Sequence, residues 1–317
     1  VVQAFSLLDR VSLEVVMYLT GFADEAAADF DGQIRATKAL GWSNIESRNI
    51  DGKNIHDISD EDFDIVYGKL QDAGVKINCF GSAIGNWAKK IDEPFDSSLE
   101  EAKRAIVRMK KLGTKLIRIM SFAVLPDRGP DDQMEEERFS RVRELQKMFS
   151  GEGLTPVHEN CMNYGGMGWT YTKKLIENVP GLKLVFDTGN PVASLDRIKN
   201  DPQARQSSWD FYYHVREHVE YVHIKDGYWD SEKNQAVFTH PGYGQGDIPL
   251  ILRDLITRGY KGGISIEPHI AVVFHDESVK SSDQVRFDTY VDYGRRMEWL
   301  ISQIKTDLAS GMPGFGG

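Results

Sequence analysis

The stretch Leu182-Lys183-Leu184-Val185-Phe186-Asp187 decides the fold. It is a short apolar run that stops on a carboxylate, as expected of a strand buried on both faces with a functional group at its C-terminal end. Residues 219–225 and 263–267 follow the same pattern downstream, ending at His223-Ile224-Lys225 and at Glu267. Upstream, Gly153-Leu154-Thr155-Pro156-Val157-His158-Glu159 does so too, although Pro156 removes one ladder donor and shortens that strand. Toward the N-terminus, residues 116–120, 75–80, 44–47 and 19–23 bring the count of strands to eight. Helical patterns separate them over residues 29–41, 59–73 and 131–149, with Gly41 and Gly74 at C-cap positions. Alternating strands and helices with right-handed crossovers predict an α/β chain, a single (β/α)8 TIM barrel. Two loops are longer than a plain barrel needs, 190–206 and 227–247, and both fall on its C-terminal face.

The chain has 317 residues, 41% hydrophobic and 27% charged, with 38 Lys and Arg against 48 Asp and Glu. That length fits one barrel with extended loops. A net charge of -10 without a basic tract excludes a nucleic-acid partner. No apolar run approaches the ~20 residues needed to cross a bilayer, so no membrane role is expected. Two cysteines, Cys79 and Cys161, are too few for a disulfide framework or a thiolate zinc site, which points to a reduced, cytoplasmic setting. Residues 1–16 precede Met17 and read as an N-terminal extension; the barrel is expected over 17–306, closed by a long helix carrying Phe287, Tyr290, Met297 and Ile304. The glycine-rich residues 307–317 read as a flexible tail.

Strands five to eight end in Glu159, Asp187, His223 and Glu267, 28, 36 and 44 residues apart. In a barrel these ends converge on one rim. A lone carboxylate at a strand end is ordinarily a cap or an ion-pair partner. Four polar ends on consecutive strands instead make an oxygen-rich set suited to Mn²⁺, Co²⁺, Fe²⁺ or Mg²⁺ and unlike a structural zinc site.

The segments Val157-His158-Glu159-Asn160, Val185-Phe186-Asp187-Thr188-Gly189-Asn190, Tyr221-Val222-His223-Ile224-Lys225-Asp226 and Ser265-Ile266-Glu267-Pro268-His269 together resemble the strand ends of the xylose isomerase-like sugar isomerase and epimerase superfamily. The resemblance spans residues 18–305 and includes Gly21-Phe22-Ala23-Asp24-Glu25 and Asn44-Ile45-Glu46. It implies one divalent metal, Mn²⁺ first with Co²⁺ or Mg²⁺ as alternatives, held by Glu159, Asp187, His223 and Glu267. It also implies acid–base roles for Glu159 and Glu267, one removing a proton beside a carbonyl and the other returning it. Glu46, Asn160, Asn190, Lys225, His269 and His275 are the expected substrate-binding residues.

Two positions depart from the ketose epimerases, since Asn190 stands where they carry His and Lys225-Asp226 follows where they carry Arg. The loop Asn160-Cys161-Met162-Asn163-Tyr164-Gly165-Gly166-Met167-Gly168-Trp169, with residues 265–276, is similar to a second branch, the barrel subunit of bacterial C-glycoside deglycosidases. That branch implies elimination of an aglycone from a 3-oxo-glycoside and a small β-rich partner subunit, against a homo-oligomer for a plain epimerase or isomerase. His269 or His275 would then supply an acid or base. His158, one residue before a ligand, is expected in the core, and Cys161 lacks an evident His partner. An endonuclease-type barrel would need more rim histidines and a basic groove. A non-catalytic sugar-binding subunit would be expected to lack a ligand.

Overall fold

The computed structural model describes residues 17–197, 199, 201, 203–273, 279 and 281–311. Eight strands form one parallel sheet: β1 Tyr18–Gly21, β2 Asn44–Ser47, β3 Lys76–Phe80, β4 Leu116–Ile119, β5 Thr155–Glu159, β6 Lys183–Asp187, β7 Val219–Ile224 and β8 Gly263–Ile266. From β2 to β8 each strand pairs with the next in sequence, and β8 returns to β1 with Tyr18 opposite Gly263. A parallel bridge between Phe22 and Glu46 brings β1 against β2 and all but closes the ring. The barrel expected from the sequence is therefore observed, with every strand in its expected place.

Eight helices cover the outside: α1 Phe30–Ala39, α2 Asp60–Ala73, α3 Asp96–Leu112, α4 Glu135–Gly151, α5 Trp169–Asn178, α6 Ser208–Val215, α7 Ile248–Thr257 and α8 Asp283–Ser310. Side-chain oxygens of Asp29, Ser59, Ser207 and Ser282 accept N–H groups at four of their N-termini. Helices α3, α5, α6 and α7 had no bounds in the sequence analysis; the buried face of α3 is Ser98, Ala102, Ala105, Arg108 and Met109. Helix α8 runs to Ser310, past residue 306, and Gly311 caps it in the left-handed conformation. Among the described residues no helix is long and apolar enough to cross a membrane.

The main core lies between sheet and helices. Inside the barrel, Cys79, Val157, Val185 and Tyr221 form a small separate layer with Leu116. Next to it, Thr20 Oγ1 donates to Asn78 Oδ1 at 2.8 Å and Asn78 Nδ2 to the Tyr221 hydroxyl at 2.9 Å. This packed floor leaves only the C-terminal mouth for chemistry.

The described residues of both long loops carry secondary structure of their own. The described residues of 190–206 hold a short helix, Asn190–Ala193, and a bridge between Leu195 and Arg205. Residues 226–239 form an antiparallel hairpin, Asp226–Asp230 with Gln235–Thr239. Buried Asp226 anchors the following turn, accepting the N–H groups of Gly227, Gly242, Gly244 and Gly246 at 2.7–3.0 Å. A Cβ on Gly244 would lie 2.4 Å from Asp226 Oδ1, so this wrap requires glycine there.

Candidate metal centre at the barrel mouth

Consecutive strands β5 to β8 bring Glu159, Asp187, His223 and Glu267 together. All four are buried, and one ligand atom from each lies within 4.8 Å of the others. His223 Nδ1 is 3.3 Å from Glu159 Oε1, while its Nε2 is 3.1 Å from the Glu46 carboxylate. Burial opposes charge on His223, but Glu46 and Glu159 outweigh it and raise its pKa to about 10.

Three cations brace the carboxylates. Arg118 Nη1 is 3.1 Å from Glu159 Oε2, Arg48 Nη1 donates to Glu267 Oε1 at 2.8 Å, and Lys225 Nζ lies 3.0 Å from both Asp187 Oδ2 and Glu267 Oε2. Against the effect of burial, Arg118 and His223 hold Glu159 below the usual carboxylate range, and Lys225, His269 and Arg48 hold Glu267 well below it. Burial wins at Asp187, which is raised despite Lys225. Both guanidinium groups sit over Phe22, at 4.3 Å for Arg48 and 5.1 Å for Arg118, so one ring carries the two cations.

The donors suit a divalent ion. Glu159 Oε2 and Asp187 Oδ2 are buried and receive no hydrogen bond, although Arg118 and Lys225 lie within ion-pair reach; the angles leave these two oxygens underused. A divalent cation among three carboxylates and an imidazole satisfies both, and no thiolate is present to favour a softer metal. A second group, Glu25, Glu267 and His269, shares one residue with the first. Both Glu25 oxygens are already taken by His269, which removes the reason for an ion there.

A cavity of about 250 Å³ opens above the cluster, lined by Glu159, Glu267, Arg48, Arg118, Lys225 and Asn190 among others. Beside it lies a more apolar pocket of about 450 Å³ with walls from Ala236, Val237, Phe238, Ile270 and Val273. Met162, Asn190, Lys225 and His269 line both.

The remaining expected residues take varied positions. Asn190 Nδ2 donates to Glu159 Oε1 at 3.3 Å. Asn160 clamps β5 to β6 by exchanging two hydrogen bonds with the Asp187 backbone, at 3.0 and 2.7 Å. Glu46 is fully buried, and Ser265 Oγ donates to it at 2.6 Å beneath His223. A bulge between Ile45 and Glu46 sets that position, and Arg48 turns to Asp24, Glu25 and Glu267. His158 is buried in the wall with Nε2 at 3.0 Å from Ser121 Oγ. His275 lies outside the described residues. Glu25, Arg48 and Arg118 escaped the sequence reading as site residues; the only signal was a charged residue within or beside an apolar strand.

The sequence pattern of one family, described as xylose isomerase-like TIM barrel, matches residues 34–286. No curated protein matches the chain in sequence. Solved structures similar to it include a xylose isomerase-like TIM barrel protein from Mycobacterium smegmatis in complex with magnesium, at 16% identity and TM-score 0.64, covering 92% of this chain and 99% of that one. An L-ribulose 3-epimerase superposes with TM-score 0.67 at 13% identity, covering 95% and 100%. A 3-keto-D-glucoside 4-epimerase from E. coli does so with TM-score 0.58 at 18% identity, covering 90% and 99%. At these identities the likeness is one of fold.

Proposed function

The chain belongs to the xylose isomerase-like TIM barrel family, and from that premise we propose that it is a metal-dependent enzyme which removes the proton beside the carbonyl of a keto-sugar, as a ketose or keto-sugar epimerase or isomerase. One observation carries this reading: of the four clustered residues, the two glutamates also line the polar cavity. Glu159, Asp187, His223 and Glu267 would hold the metal, Mn²⁺ first. When bound, a divalent ion supplies the positive charge that acidifies a C–H next to a carbonyl.

The protein's own residues do the rest. Arg118 keeps Glu159 ionised and therefore able to accept a proton. Lys225 and Arg48 do the same for Glu267. With a glutamate on each side of the reacting carbon, one removes the proton and the other delivers it, which inverts that centre. Asn190 and Lys225 are the nearby donors for substrate oxygens. The hairpin and residues 269–273 wall off the side of the site, which limits the water that would quench a carbanion.

The apolar pocket favours a second reading. A substrate with a sugar in the polar cavity and an aromatic group beside it would suit elimination: deprotonation at C2, next to the C3 carbonyl of a 3-oxo-glycoside, gives a C1–C2 double bond as the bond from C1 to the aglycone breaks and the departing aglycone takes up a proton. This reading goes with a small β-rich partner, and Tyr228 and Tyr243 stand 40% and 74% exposed on the hairpin and the turn after it. A plain epimerase or isomerase would more simply be a homo-oligomer.

The test is incubation with Mn²⁺ in D₂O and a panel of free ketoses and 3-oxo-glycosides, with products identified by mass and NMR. Deuterium at the carbon beside the carbonyl supports the reading. Failure to exchange or convert any member of the panel overturns it.

A further inference from the structure

A third group of potential ligands shares no residue with the four at the mouth. His56 and Asp57 stand in the segment between β2 and α2, and Glu101 lies near the start of α3. One ligand atom from each lies within 4.8 Å of the others. Helix α3 holds the segment in place: Arg104 Nε donates to the His56 carbonyl at 3.3 Å, and Arg108 donates to the carbonyls of Ile55 and Ile58 at 2.7 and 2.6 Å. The His56 side chain is fully buried, yet neither ring nitrogen makes a hydrogen bond with any described residue. A buried imidazole in that condition forfeits the bonds it makes in water unless a bound group restores them.

Nε2 of His56 faces Asp57 Oδ2 at 3.3 Å, in a geometry that makes no hydrogen bond. That separation matches one edge of a zinc tetrahedron, since a nitrogen and an oxygen each about 2.0–2.2 Å from the ion stand roughly 3.4 Å apart at the tetrahedral angle. Arg104 takes Asp57 Oδ1 and Lys89 takes Glu101 Oε2, which orients both carboxylates and leaves Asp57 Oδ2 and Glu101 Oε1 to an ion. Asp57 and Glu101 are 39% and 16% exposed, so the ion can enter from solvent. Two carboxylates offset by two cations carry no net charge. A hard ion such as Mg²⁺, which is held by charge, therefore gains little, whereas Zn²⁺ gains from the imidazole. We propose that His56, Asp57 and Glu101 form a zinc site, with water as the fourth ligand, that ties the segment before α2 to α3.

The test counts bound Zn²⁺ by equilibrium dialysis and elemental analysis, on the full chain first stripped with EDTA, for the wild type, His56→Gln and Glu101→Gln. The wild type should hold one equivalent more than H56Q. The mouth cluster is common to both proteins, so this difference stands whether or not the mouth takes zinc. Glu101 packs at the surface, and E101Q should fold like the wild type while binding the same equivalent at least about tenfold more weakly, the scale of losing even a supporting group at a metal site. In wild-type protein labelled with ¹⁵N-histidine, the His56 ring signal, assigned through its backbone, should move to the position of a metal-bound nitrogen as Zn²⁺ is added and stay in place with equal Mg²⁺. Equal zinc counts in the wild type and folded H56Q overturn the proposal, and so does unchanged zinc affinity in E101Q. A His56 signal that Zn²⁺ leaves unmoved, or that Mg²⁺ shifts as far, overturns it without recourse to any variant.

Discussion

Replacing Lys225 by Met should make the metal-free protein less stable and bind metal more tightly. In the structure the ammonium stands 3.0 Å from Asp187 Oδ2 and 3.0 Å from Glu267 Oε2, and the side chain is 6% exposed. Met fills nearly the same volume, so the change is mainly the loss of one buried charge. Arg48 still pairs with Glu267, but Asp187 Oδ2 loses the cation nearest to it. Breaking a buried ion pair by removing one partner costs about 3–5 kcal/mol. A divalent ion in the cluster replaces the missing charge and recovers most of that cost. By linkage the recovered part appears as metal affinity: about 3 kcal/mol at 1.4 kcal/mol per tenfold is roughly a hundredfold fall in Kd. Urea unfolding in EDTA and in saturating Mn²⁺, with calorimetric titration of Mn²⁺, measures both halves. Work near pH 8.5 keeps Asp187, whose carboxyl burial raises, in its charged form. Equal destabilisation with and without metal, or weaker Mn²⁺ binding in K225M, would refute the reasoning.

Other perturbations have equally definite outcomes. Asp187→Ala should abolish tight Mn²⁺ binding, read by metal analysis after gel filtration, because it removes a charged ligand at the centre of the cluster; undiminished metal content would remove the basis of the site. Glu159→Gln and Glu267→Gln should each keep much of the metal yet lower turnover about 10²-fold or more, the scale of losing acid–base catalysis. Full activity in both, with no solvent deuterium in the product, would point to direct hydrogen transfer. Burial followed by the Glu159 charge pushes the Cys161 thiol up to about 12, so in metal-free protein its alkylation by iodoacetamide at pH 8 should run roughly 10³-fold slower than that of an ordinary thiol. Fast labelling of Cys161 seen by mass spectrometry contradicts this. Gly166→Ala should disrupt the loop after β5, since a Cβ there would lie 1.6 Å from the Cys161 carbonyl oxygen. A variant with unchanged stability and Mn²⁺ affinity would show that the loop yields more easily than this contact suggests.

The sequence by itself determined the barrel. A parallel strand buried on both faces must be a nearly unbroken apolar run, so a polar residue at its end is conspicuous, and eight such runs separated by helical patterns leave few topologies. The same logic picked out Glu159, Asp187, His223 and Glu267 before any distance was known. Helices α3, α5, α6 and α7 were given no bounds, and the segment 227–247 hid a hairpin whose strands are half exposed and only weakly apolar.

Only the tertiary structure decided what surrounds the four clustered residues. Lys225 between two carboxylates, Arg48 reaching Glu267 across 219 positions of sequence, and Glu46 beneath His223 are contacts made within and across the barrel mouth, with no sequence spacing to announce them. The pairing of Glu25 with His269 depends on β1 lying beside β8, the contact that joins the two ends of the barrel. Local pattern records how each segment buries its own apolar face. The charges that tune a site come from segments brought together by ring closure, and burial then makes each of those contacts strong enough to matter.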